Sequence, residues 1–234
     1  MRQTIKSIVI LTGAGISAES GIRTFRDANG LWENHRIEDV ATPEAFARNP
    51  DLVHSFYNER RRQLADASVV PNPAHLALAR LEKEWNGDFL LVTQNVDNLH
   101  ERAGSQRLVH MHGQLDQASC SVCQHRLTWV ADLGRADQCP RCGSIGGLRP
   151  DIVWFSEMPY HMDRIVEAVE ACELFVAIGT SGHVYPAAGL ARSAWKAKRI
   201  EVNVQPSEVA NHFNEQRLGP ASREVPVLVE ELLL

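Results

Sequence analysis

The chain has 234 residues, enough for one large domain, or for one large and one small domain. Hydrophobic residues make up 44% and charged residues 23%, which is ordinary for a soluble globular protein. A net charge of -5 argues against DNA or RNA as an electrostatic partner, and the apolar runs fall well short of the ~18 residues that span a membrane. The first apolar run, 8–11, is too short for an export signal, so we expect a cytoplasmic protein without nucleic-acid or membrane partners.

Short apolar runs along the chain, many of them next to helical patterns, are typical of buried parallel strands. The predicted strands cover residues 8–11, 89–92, 108–111, 152–155, 174–178 and 200–204. Amphipathic stretches at 74–85, 162–172 and 187–198 predict helices between them. This alternation predicts an α/β fold with a doubly wound parallel sheet.

Two insertions interrupt the alternation. Residues from about 28 to 73 are polar and helical in pattern, with no strand signal, and residues from about 114 to 148 carry clustered cysteines. We predict that segments 28–73 and 114–148 build a smaller domain. The large domain would then consist of residues 1–27, 74–113 and 149–234.

A glycine-rich turn, T-G-A-G-I-S-A-E-S-G, follows the first predicted strand directly. Gly13 and Gly15 would let the backbone approach a pyrophosphate, a helix beginning near Ile16 would add N–H donors, and Ser17 a hydroxyl. The alternative is a plain strand-to-helix connection. The turn lacks the full G-x-G-x-x-G pattern, and no acidic residue ends a second strand about twenty residues on. It therefore predicts a dinucleotide bound differently from that of a hydride-transfer enzyme.

Polar side chains follow the second predicted strand in T-Q-N-V-D-N-L-H. Gln94, Asn95 and Asp97 can bind a carboxamide and ribose hydroxyls, or orient a water. The alternative is an Asx turn in which Asn98 caps the following helix.

Two histidines end the third predicted strand in H-M-H-G. His110 and His112 are two residues apart, so they would point to the same side of an extended strand. His112 precedes a glycine at the strand end, where a ligand could reach it, and is the candidate general base. We predict a structural role for His110.

Four cysteines, in two C-x-x-C pairs separated by fifteen residues, form the strongest local motif: Cys120, Cys123, Cys139 and Cys142. Such pairs supply four sulfur ligands for a tetrahedral structural zinc ion, which suits the reducing cytosol. Two disulfides or four unrelated thiols are the alternative. Four thiolates leave no open coordination position, so the catalytic centre must lie elsewhere. Cys172 stands alone in an apolar helical run and is predicted to be buried.

Small and polar residues also follow the later strands. Gly179, Thr180 and Ser181 come after strand 174–178, and Asn203 lies within or at the end of strand 200–204. Ligands bind at the carboxyl ends of such strands, although each residue alone could be an ordinary turn residue. Together they would line one edge of one crevice.

In combination, these motifs resemble the sirtuin family. G-A-G-I-S-A-E-S-G-I, T-Q-N-V-D, H-G, the two C-x-x-C pairs and G-T-S with a downstream V-x-P occur in the family's order and cover nearly the whole chain. The resemblance implies an NAD-dependent protein lysine deacylase, with a Rossmann-like large domain and a zinc-bearing small domain. It implies NAD as cosubstrate, one structural zinc ion, and acyl-lysine proteins or peptides as partners.

The resemblance also implies roles for individual residues. His112 resembles the catalytic base, Asn95 and Asp97 resemble residues that position the nicotinamide end, and Phe25 resembles a shield of the reactive ribose. The implied NAD contacts are Gly13, Ala14, Gly15, Ser17, Glu19, Phe25, Arg26, Gln94, Asn95, Asp97, Gly179, Thr180, Ser181, Asn203 and Ala221. The substrate peptide would add as a strand between segments 153–157 and 182–185, and the implied contacts are Val153, Phe155, Ser156, Glu157, Val184 and Tyr185.

The implied reaction is a substitution at the anomeric carbon of the nicotinamide ribose, in which the acyl-lysine carbonyl oxygen attacks and nicotinamide departs. His112 then activates the ribose 2′-hydroxyl, which attacks the imidate, and water releases lysine and O-acyl-ADP-ribose. One rival hypothesis is a mono-ADP-ribosyltransferase, whose product would be an ADP-ribosylated protein. The other is a non-catalytic module that binds NAD without releasing nicotinamide.

A Y-x-x-R pair in the helical insertion bears on the acyl group. Tyr57 and Arg60 are three residues apart, share a helix face, and could bind a carboxylate by charge-assisted hydrogen bonds. This suits succinyl-, malonyl- or glutaryl-lysine. With Thr24 in the cofactor loop, the pair resembles the class III branch, whose bacterial members commonly remove acetyl as well, so dual deacetylase and desuccinylase activity is implied. The alternative is a solvated basic face formed by Arg60, Arg61 and Arg62.

One departure from the family pattern concerns the peptide-binding edge. The chain has F-S-E where sirtuins usually have F-G-E. If that position takes a positive φ, we expect Ser156 to strain this edge by roughly 1 kcal/mol.

Overall fold

The structure is a computed structural model that describes residues 5–22, 31–32 and 35–234. The predicted cofactor-loop residues Phe25 and Arg26, and Thr24 of the class III pattern, lie outside the described residues.

The strands are Ser7–Thr12 (β1), Leu31–Trp32 (β2), His35–Arg36 (β3), Asp88–Thr93 (β4), Leu108–His110 (β5), Gly113–Cys120 (β6), Arg126–Thr128 (β7), Leu148–Ile152 (β8), Leu174–Ile178 (β9), Lys198–Asn203 (β10) and Glu215–Leu218 (β11). The α-helices are Ile37–Val40 (α1), Pro43–Arg48 (α2), Pro50–Leu64 (α3), Pro73–Glu84 (α4), Leu99–Ala103 (α5), Met162–Ala171 (α6), Leu190–Ser193 (α7) and Ala221–Leu233 (α8). Short 3-10 turns cover Ala14–Ile16, Ala18–Ser20, Ala187–Gly189 and Ala210–His212.

A parallel sheet dominates the described part of the chain, with the strand order β11-β10-β9-β1-β4-β5. The chain winds one way from β1 to β5 and the other way from β9 to β11, so the order reverses between β1 and β9. Ligands bind at such a switch point, in the crevice at the carboxyl ends of the strands. The prediction of an α/β doubly wound sheet is confirmed.

Both faces of the sheet are covered by apolar packing. Side chains alternate along β1, so Ile8 and Ile10 pack on one face with α4 and α8, whereas Val9 and Leu11 pack on the other with α6. Every residue from Ile8 to Leu11 is at most 3% exposed, which explains why this strand has a continuous apolar sequence rather than an alternating one. Cys172 is buried in the second face, as predicted.

The cysteine insertion forms a separate antiparallel sheet with the order β7-β6-β8. Helix α3 of the other insertion holds this sheet. Asn58 exchanges two hydrogen bonds with the main chain of Leu133, at 3.0 and 2.8 Å, and Arg61 donates from Nε to the Leu115 carbonyl at 2.7 Å. The two insertions therefore pack together. Their treatment as one small domain, whose sheet extends to Ile152, remains a proposal.

Four details of the predicted secondary structure were wrong. Run 152–155 is not a parallel strand, because β8 ends at Ile152 and pairs antiparallel with β6; apolar content does not specify strand direction. Strand β11 was missed, because its sequence E-Q-R-L lies at the sheet edge and is half exposed. The turn after β1 continues into two 3-10 turns rather than a helix from Ile16, and the stretch 187–198 contains only a 3-10 turn and the short α7.

None of the helices that the structure describes combines the length and the apolar character needed to cross a bilayer.

Candidate functional site

A cavity of about 340 Å³ lies at the switch point, between the parallel sheet and the two insertions. Its lining brings together most of the predicted site residues. These are Gly13, Ala14, Gly15, Ser17, Tyr57, Arg60, Gln94, Asn95, Asp97, His112, Val153, Phe155, Ser156, Glu157, Gly179, Thr180, Ser181, Val184, Tyr185 and Asn203.

The loops after β1 and β9 meet through glycine main chain. The amides of Gly13 and Gly15 donate to the carbonyls of Ile178 and Gly179, both at 2.9 Å. A Cβ on Gly15 would lie 2.7 Å from Gly179 Cα, and one on Gly179, where φ is 62°, would lie 2.5 Å from Ile16 N. Only glycine fits this contact. Because both amides already donate within the protein, Gly13 and Gly15 line the cavity as main chain without supplying free N–H donors.

Polar side chains from three loops form one edge of the cavity. Gln94 donates from Nε2 to Thr180 Oγ1 at 3.1 Å, and Asn203 donates from Nδ2 to the Thr180 carbonyl at 2.9 Å. The prediction that Thr180 and Asn203 lie together at one edge is confirmed by these contacts. They fix Gln94 beside the residues that follow β9.

Ser17, Asn95 and Asp97 form a buried hydrogen-bonded cluster. The Ser17 hydroxyl donates to Asp97 Oδ2 at 3.0 Å and accepts from Asn95 Nδ2 at 3.1 Å. Burial raises the pKa of Asp97, while hydrogen bonds from the Leu99 amide and from Ser17 oppose that shift. The Leu99 contact is an Asx turn made by Asp97, so the alternative with Asn98 as the side-chain cap was wrong.

Two histidines that sequence reasoning missed lie directly beneath this cluster. His75 Nε2 lies 3.4 Å from Ser17 Oγ, and His100 Nε2 lies 3.1 Å from Thr12 Oγ1. Both rings have 0% exposure, and burial lowers the pKa of His75 to about 4. They are neutral supports of the cavity floor. Their positions inside helices α4 and α5 gave no sign of this role.

His112 is the histidine that lines the cavity, as predicted. Its Nδ1 lies 3.1 Å from the Gln94 carbonyl oxygen, which can only accept. The proton of the neutral ring is therefore assigned to Nδ1, and Nε2 keeps its lone pair. Burial lowers the pKa of His112, which favours this neutral state.

His110 does not point the same way as His112, contrary to the prediction. Strand β5 ends at His110, so the alternation of an extended strand does not continue to His112. His110 lines a second cavity on the far side of this segment. Its Nδ1 lies 3.1 Å from the Asn95 carbonyl and its Nε2 lies 2.7 Å from Glu101 Oε1.

The other end of the main cavity is built from aromatic and cationic side chains. Tyr57 has 0% exposure and its hydroxyl accepts a hydrogen bond from Trp154 Nε1 at 3.0 Å. Burial raises the pKa of Tyr57, so the phenol stays protonated. The Arg60 guanidinium lies 4.4 Å above the Phe56 ring.

The alternative of a solvated basic face does not describe the three arginines of α3. The Arg60 side chain is 12% exposed and lines the cavity, and Arg61 is buried against the Leu115 carbonyl. Only Arg62 is exposed, where it pairs with Asp132 at 2.6 Å.

Segment 153–157 borders the cavity and is held by its own contacts. Glu157 accepts two hydrogen bonds from Arg149, at 2.7 and 2.9 Å. Burial would raise the pKa of Glu157, but the bonds from Arg149 and the Trp154 amide lower it overall. Ser156 has a φ of 72°, so the condition for strain at this position is met. Tyr185 is 71% exposed at the rim.

Of the predicted NAD contacts within the described ranges, Glu19 and Ala221 are not among the lining residues. Glu19 is exposed and accepts from the amide and hydroxyl of Ser222, at 3.0 and 2.6 Å. Ala221 is buried at the start of α8. Glu19 therefore connects the glycine-rich turn to the last helix.

The four predicted cysteine ligands lie together, with all sulfur atoms within 4.8 Å of one another. The Sγ atoms are 3.8 Å apart for Cys120 and Cys142 and 3.7 Å apart for Cys123 and Cys139. A tetrahedron with Zn–S bonds of about 2.3 Å has edges of roughly 3.8 Å, whereas a disulfide needs about 2.05 Å. The donor set therefore fits one structural zinc ion, and the disulfide alternative was wrong.

Comparisons with known proteins agree with this geometry. The sequence model of the Sir2 family matches residues 13–186. An NAD-dependent protein deacylase of Bdellovibrio bacteriovorus is 63% identical over 228 residues, covering 97% of each chain. A solved Sir2 homolog–NAD complex superposes with a TM-score of 0.88 at 38% identity, covering 97% of this chain and 90% of that one. A Sir2 protein bound to a myristoylated histone peptide gives a TM-score of 0.75 at 33% identity, covering 97% and 91%.

Proposed function

Because this chain belongs to the Sir2 family, and its relatives are NAD-dependent protein deacylases, we propose that it removes acetyl and succinyl groups from protein lysines. The products would be nicotinamide, O-acyl-ADP-ribose and the deacylated protein. One observation carries the proposal: a single cavity is lined by the neutral ring of His112 and by the Tyr57–Arg60 pair.

His112 is suited to act as the general base. Its Nδ1–H donates to the Gln94 carbonyl, which leaves Nε2 free to accept a proton from a ribose hydroxyl. Burial lowers its pKa, so the ring is neutral when substrate arrives. Loss of activity at acid pH would follow from its protonation.

NAD would occupy the switch-point side of the cavity, where it supplies the electrophilic ribose carbon. Gly13, Gly15 and Gly179 line this side of the cavity, so a phosphate group would approach close to the main chain there. Asn95 and Asp97 are held rigidly by Ser17, so their remaining polar groups can orient the nicotinamide end. A rigid site of this kind reduces the entropy lost on reaching the reactive geometry.

The acyl group would point toward Tyr57 and Arg60. A protonated phenol and a guanidinium together supply the donors that a succinyl carboxylate needs. Since the Tyr57 oxygen accepts from Trp154, its own proton is available for donation. The apolar neighbours Val96, Leu115 and Ile152 leave acetyl-lysine equally able to enter.

The substrate peptide would lie along segments 153–157 and 182–185 as an added strand. The amides of Val153, Phe155 and Glu157 already donate to His112, Ala41 and Trp154 carbonyls. The first segment would therefore pair with the peptide mainly through its own carbonyl groups.

The test compares wild type with Tyr57→Phe/Arg60→Met and with Arg60→Met alone, on matched acetyl and succinyl peptides. The single variant leaves the Trp154–Tyr57 bond intact, so it isolates the guanidinium. We expect desuccinylation, as kcat/KM, to fall about 100-fold in the double variant, in line with the ~1.5–3 kcal/mol of a charged hydrogen bond. Deacetylation should stay within about threefold of wild type.

The matched control is Arg62→Met, which removes a neighbouring exposed cation from the same helix and should leave both activities unchanged. His112→Gln should abolish both. Equal losses of both activities in Arg60→Met would make the pair a structural part of the pocket. Product mass separates deacylation from ADP-ribosylation of the protein.

A further inference from the structure

We propose that His110 is a positioning residue for this reaction: as an imidazolium held between the Asn95 carbonyl and Glu101, it fixes the Gln94–Asp97 loop, and loss of its proton limits activity at alkaline pH. The inference rests on the proposed function but concerns a residue outside the main cavity.

The charge of His110 follows from its two partners. Nδ1 faces a main-chain carbonyl oxygen at 3.1 Å, and Nε2 faces a carboxylate oxygen at 2.7 Å. Both are acceptors, and a neutral imidazole carries only one N–H. Two good bonds therefore require both ring nitrogens to be protonated. Glu101 Oε1 also accepts from Gln114 Nε2 at 3.3 Å, as expected of an ionised carboxylate.

The electrostatic surroundings support the same state. Burial alone would lower the pKa of His110, but the hydrogen bond and charge of Glu101, the Asn95 carbonyl and Asp97 raise it overall. Other titratable or charged groups face it from the neighbouring elements: His100 beneath it, and Arg126, Asp151, Tyr160, His161 and Arg164 around the second cavity. Arg126 and Asp151 pair at 3.4 Å and largely offset each other.

The imidazolium acts on the site through the loop after β4. His112 holds the Gln94 carbonyl and His110 holds the next one, that of Asn95, both at 3.1 Å. Two histidines of one segment thus fix two successive peptide groups. The positive charge also lowers the pKa of Asp97 against the effect of burial, which favours its ionised form. A neutral His110 ring would lose one of its two hydrogen bonds and would no longer lower the pKa of Asp97.

The direction in which activity changes with pH follows from the charge states of His110 and His112. Because both ring nitrogens face acceptors and the pKa of His110 is raised, the imidazolium persists to higher pH than in a free histidine, and its charge is lost as the pH rises through that pKa. His112 must be neutral, so it sets the acid limb of the activity profile. His110 would set the alkaline limb.

The variant Glu101→Gln tests the negative charge of Glu101 separately from its hydrogen bond with His110. Glutamine keeps an oxygen that accepts the Nε2–H bond but removes the negative charge, so His110 loses its proton at lower pH. The control Glu170→Gln makes the same charge change at an exposed position of α6. The measurement is kcat/KM for an acetyl-lysine peptide over roughly pH 5 to 9, the range around imidazole titration. NMR titration of the His110 ring, assigned by its absence in His110→Gln, accompanies it.

We expect the alkaline limb and the His110 titration of Glu101→Gln to move down together by about one pH unit, with the acid limb unchanged. Glu170→Gln should match wild type. A His110 ring that is neutral at pH 7 in wild type overturns the inference. An alkaline limb that stays in place while the His110 titration moves also overturns it.

Absence of deacylation by wild type would instead defeat the proposed function. The pH dependence of NAD affinity in the same proteins then decides the role of His110. Identical affinity profiles for wild type and Glu101→Gln would overturn the inference.

Discussion

The two ends of the main cavity are built in different ways. At the switch-point end, the loops after β1 and β9 touch through glycine main chain, with no room for a Cβ. At the other end, which we propose binds the acyl group and call the acyl end, side chains from α3 and from the segment after β8 meet, and the Tyr57 hydroxyl accepts a hydrogen bond from Trp154. Main-chain geometry tolerates almost no substitution, whereas side-chain geometry can change residue by residue. The switch-point end is therefore set by the fold, whereas the end proposed to bind the acyl group is set by the choice of side chains.

Of the changes considered, removal of the zinc ion should have the largest effect, and it should affect the two ends of the main cavity differently. A structural zinc ion contributes on the order of 10 kcal/mol to the free energy of folding. Helix α3 is hydrogen-bonded to the cysteine insertion, here called the cysteine module, at Leu133 and Leu115. We expect verified zinc removal by a chelator to unfold the module and abolish deacylation, while NAD binding to the sheet end stays measurable by calorimetry. Cys172→Ser, outside the cluster, is the control. Full deacylase activity in metal-free protein would contradict the prediction.

The variant Gly15→Ala tests only the switch-point end of the main cavity, which is built from main chain. The added Cβ would lie 2.7 Å from Gly179 Cα, so the loops after β1 and β9 must separate, at a cost of about 1–3 kcal/mol. We expect NAD affinity to fall about tenfold and the melting temperature to drop. Gly134→Ala is the matched control, because its Cβ would meet nothing nearer than 3.9 Å. Unchanged NAD affinity in Gly15→Ala would show that the close glycine contact does not shape the cofactor end.

Ser156→Gly should have the smallest effect, at the border of the acyl end. Its φ of 72° is unfavourable for serine, so glycine should raise the free energy of unfolding by roughly 1 kcal/mol and change the peptide KM with little change in NAD affinity. Gln124→Gly is the control, since Gln124 has a φ of 59° outside the cavity lining. It should raise stability without changing KM. Identical peptide KM in wild type and Ser156→Gly would mean that this strain does not reach the substrate.

The sequence predicted best those features that depend on a local pattern. The bounds of strand 174–178 were predicted correctly because a continuous apolar run between Glu173 and Gly179 has one simple explanation in a covered sheet. The cysteine cluster was found because ligand spacing within each pair is fixed by the metal. The strand ends placed Gly179, Thr180, Ser181 and Asn203 at one edge because parallel strands share one direction.

Features that depend on distant partners could not be found in this way. Run 152–155 looked like a strand of the parallel sheet, although only Ile152 belongs to a strand, β8, whose antiparallel direction is set by its pairing with β6. Trp154, His75 and His100 support the cavity through contacts more than fifty residues away in sequence. The need for glycine at position 15 likewise has a reason that local sequence does not reveal, because a Cβ there would meet the main chain of Gly179.

The hydrogen bond between Trp154 and Tyr57 should give the proposed acyl end its own fluorescence signal. The Trp154 indole is 2% exposed, with the Arg149 guanidinium 3.4 Å above its ring. A carboxylate that arrives beside Tyr57 changes the electric field at this indole, and tryptophan emission follows that field. Trp154 is one of five tryptophans, so subtracting the spectrum of Trp154→Phe isolates its fluorescence. Bound succinyl-lysine and bound acetyl-lysine should then give different emission wavelengths of Trp154 before any chemistry takes place.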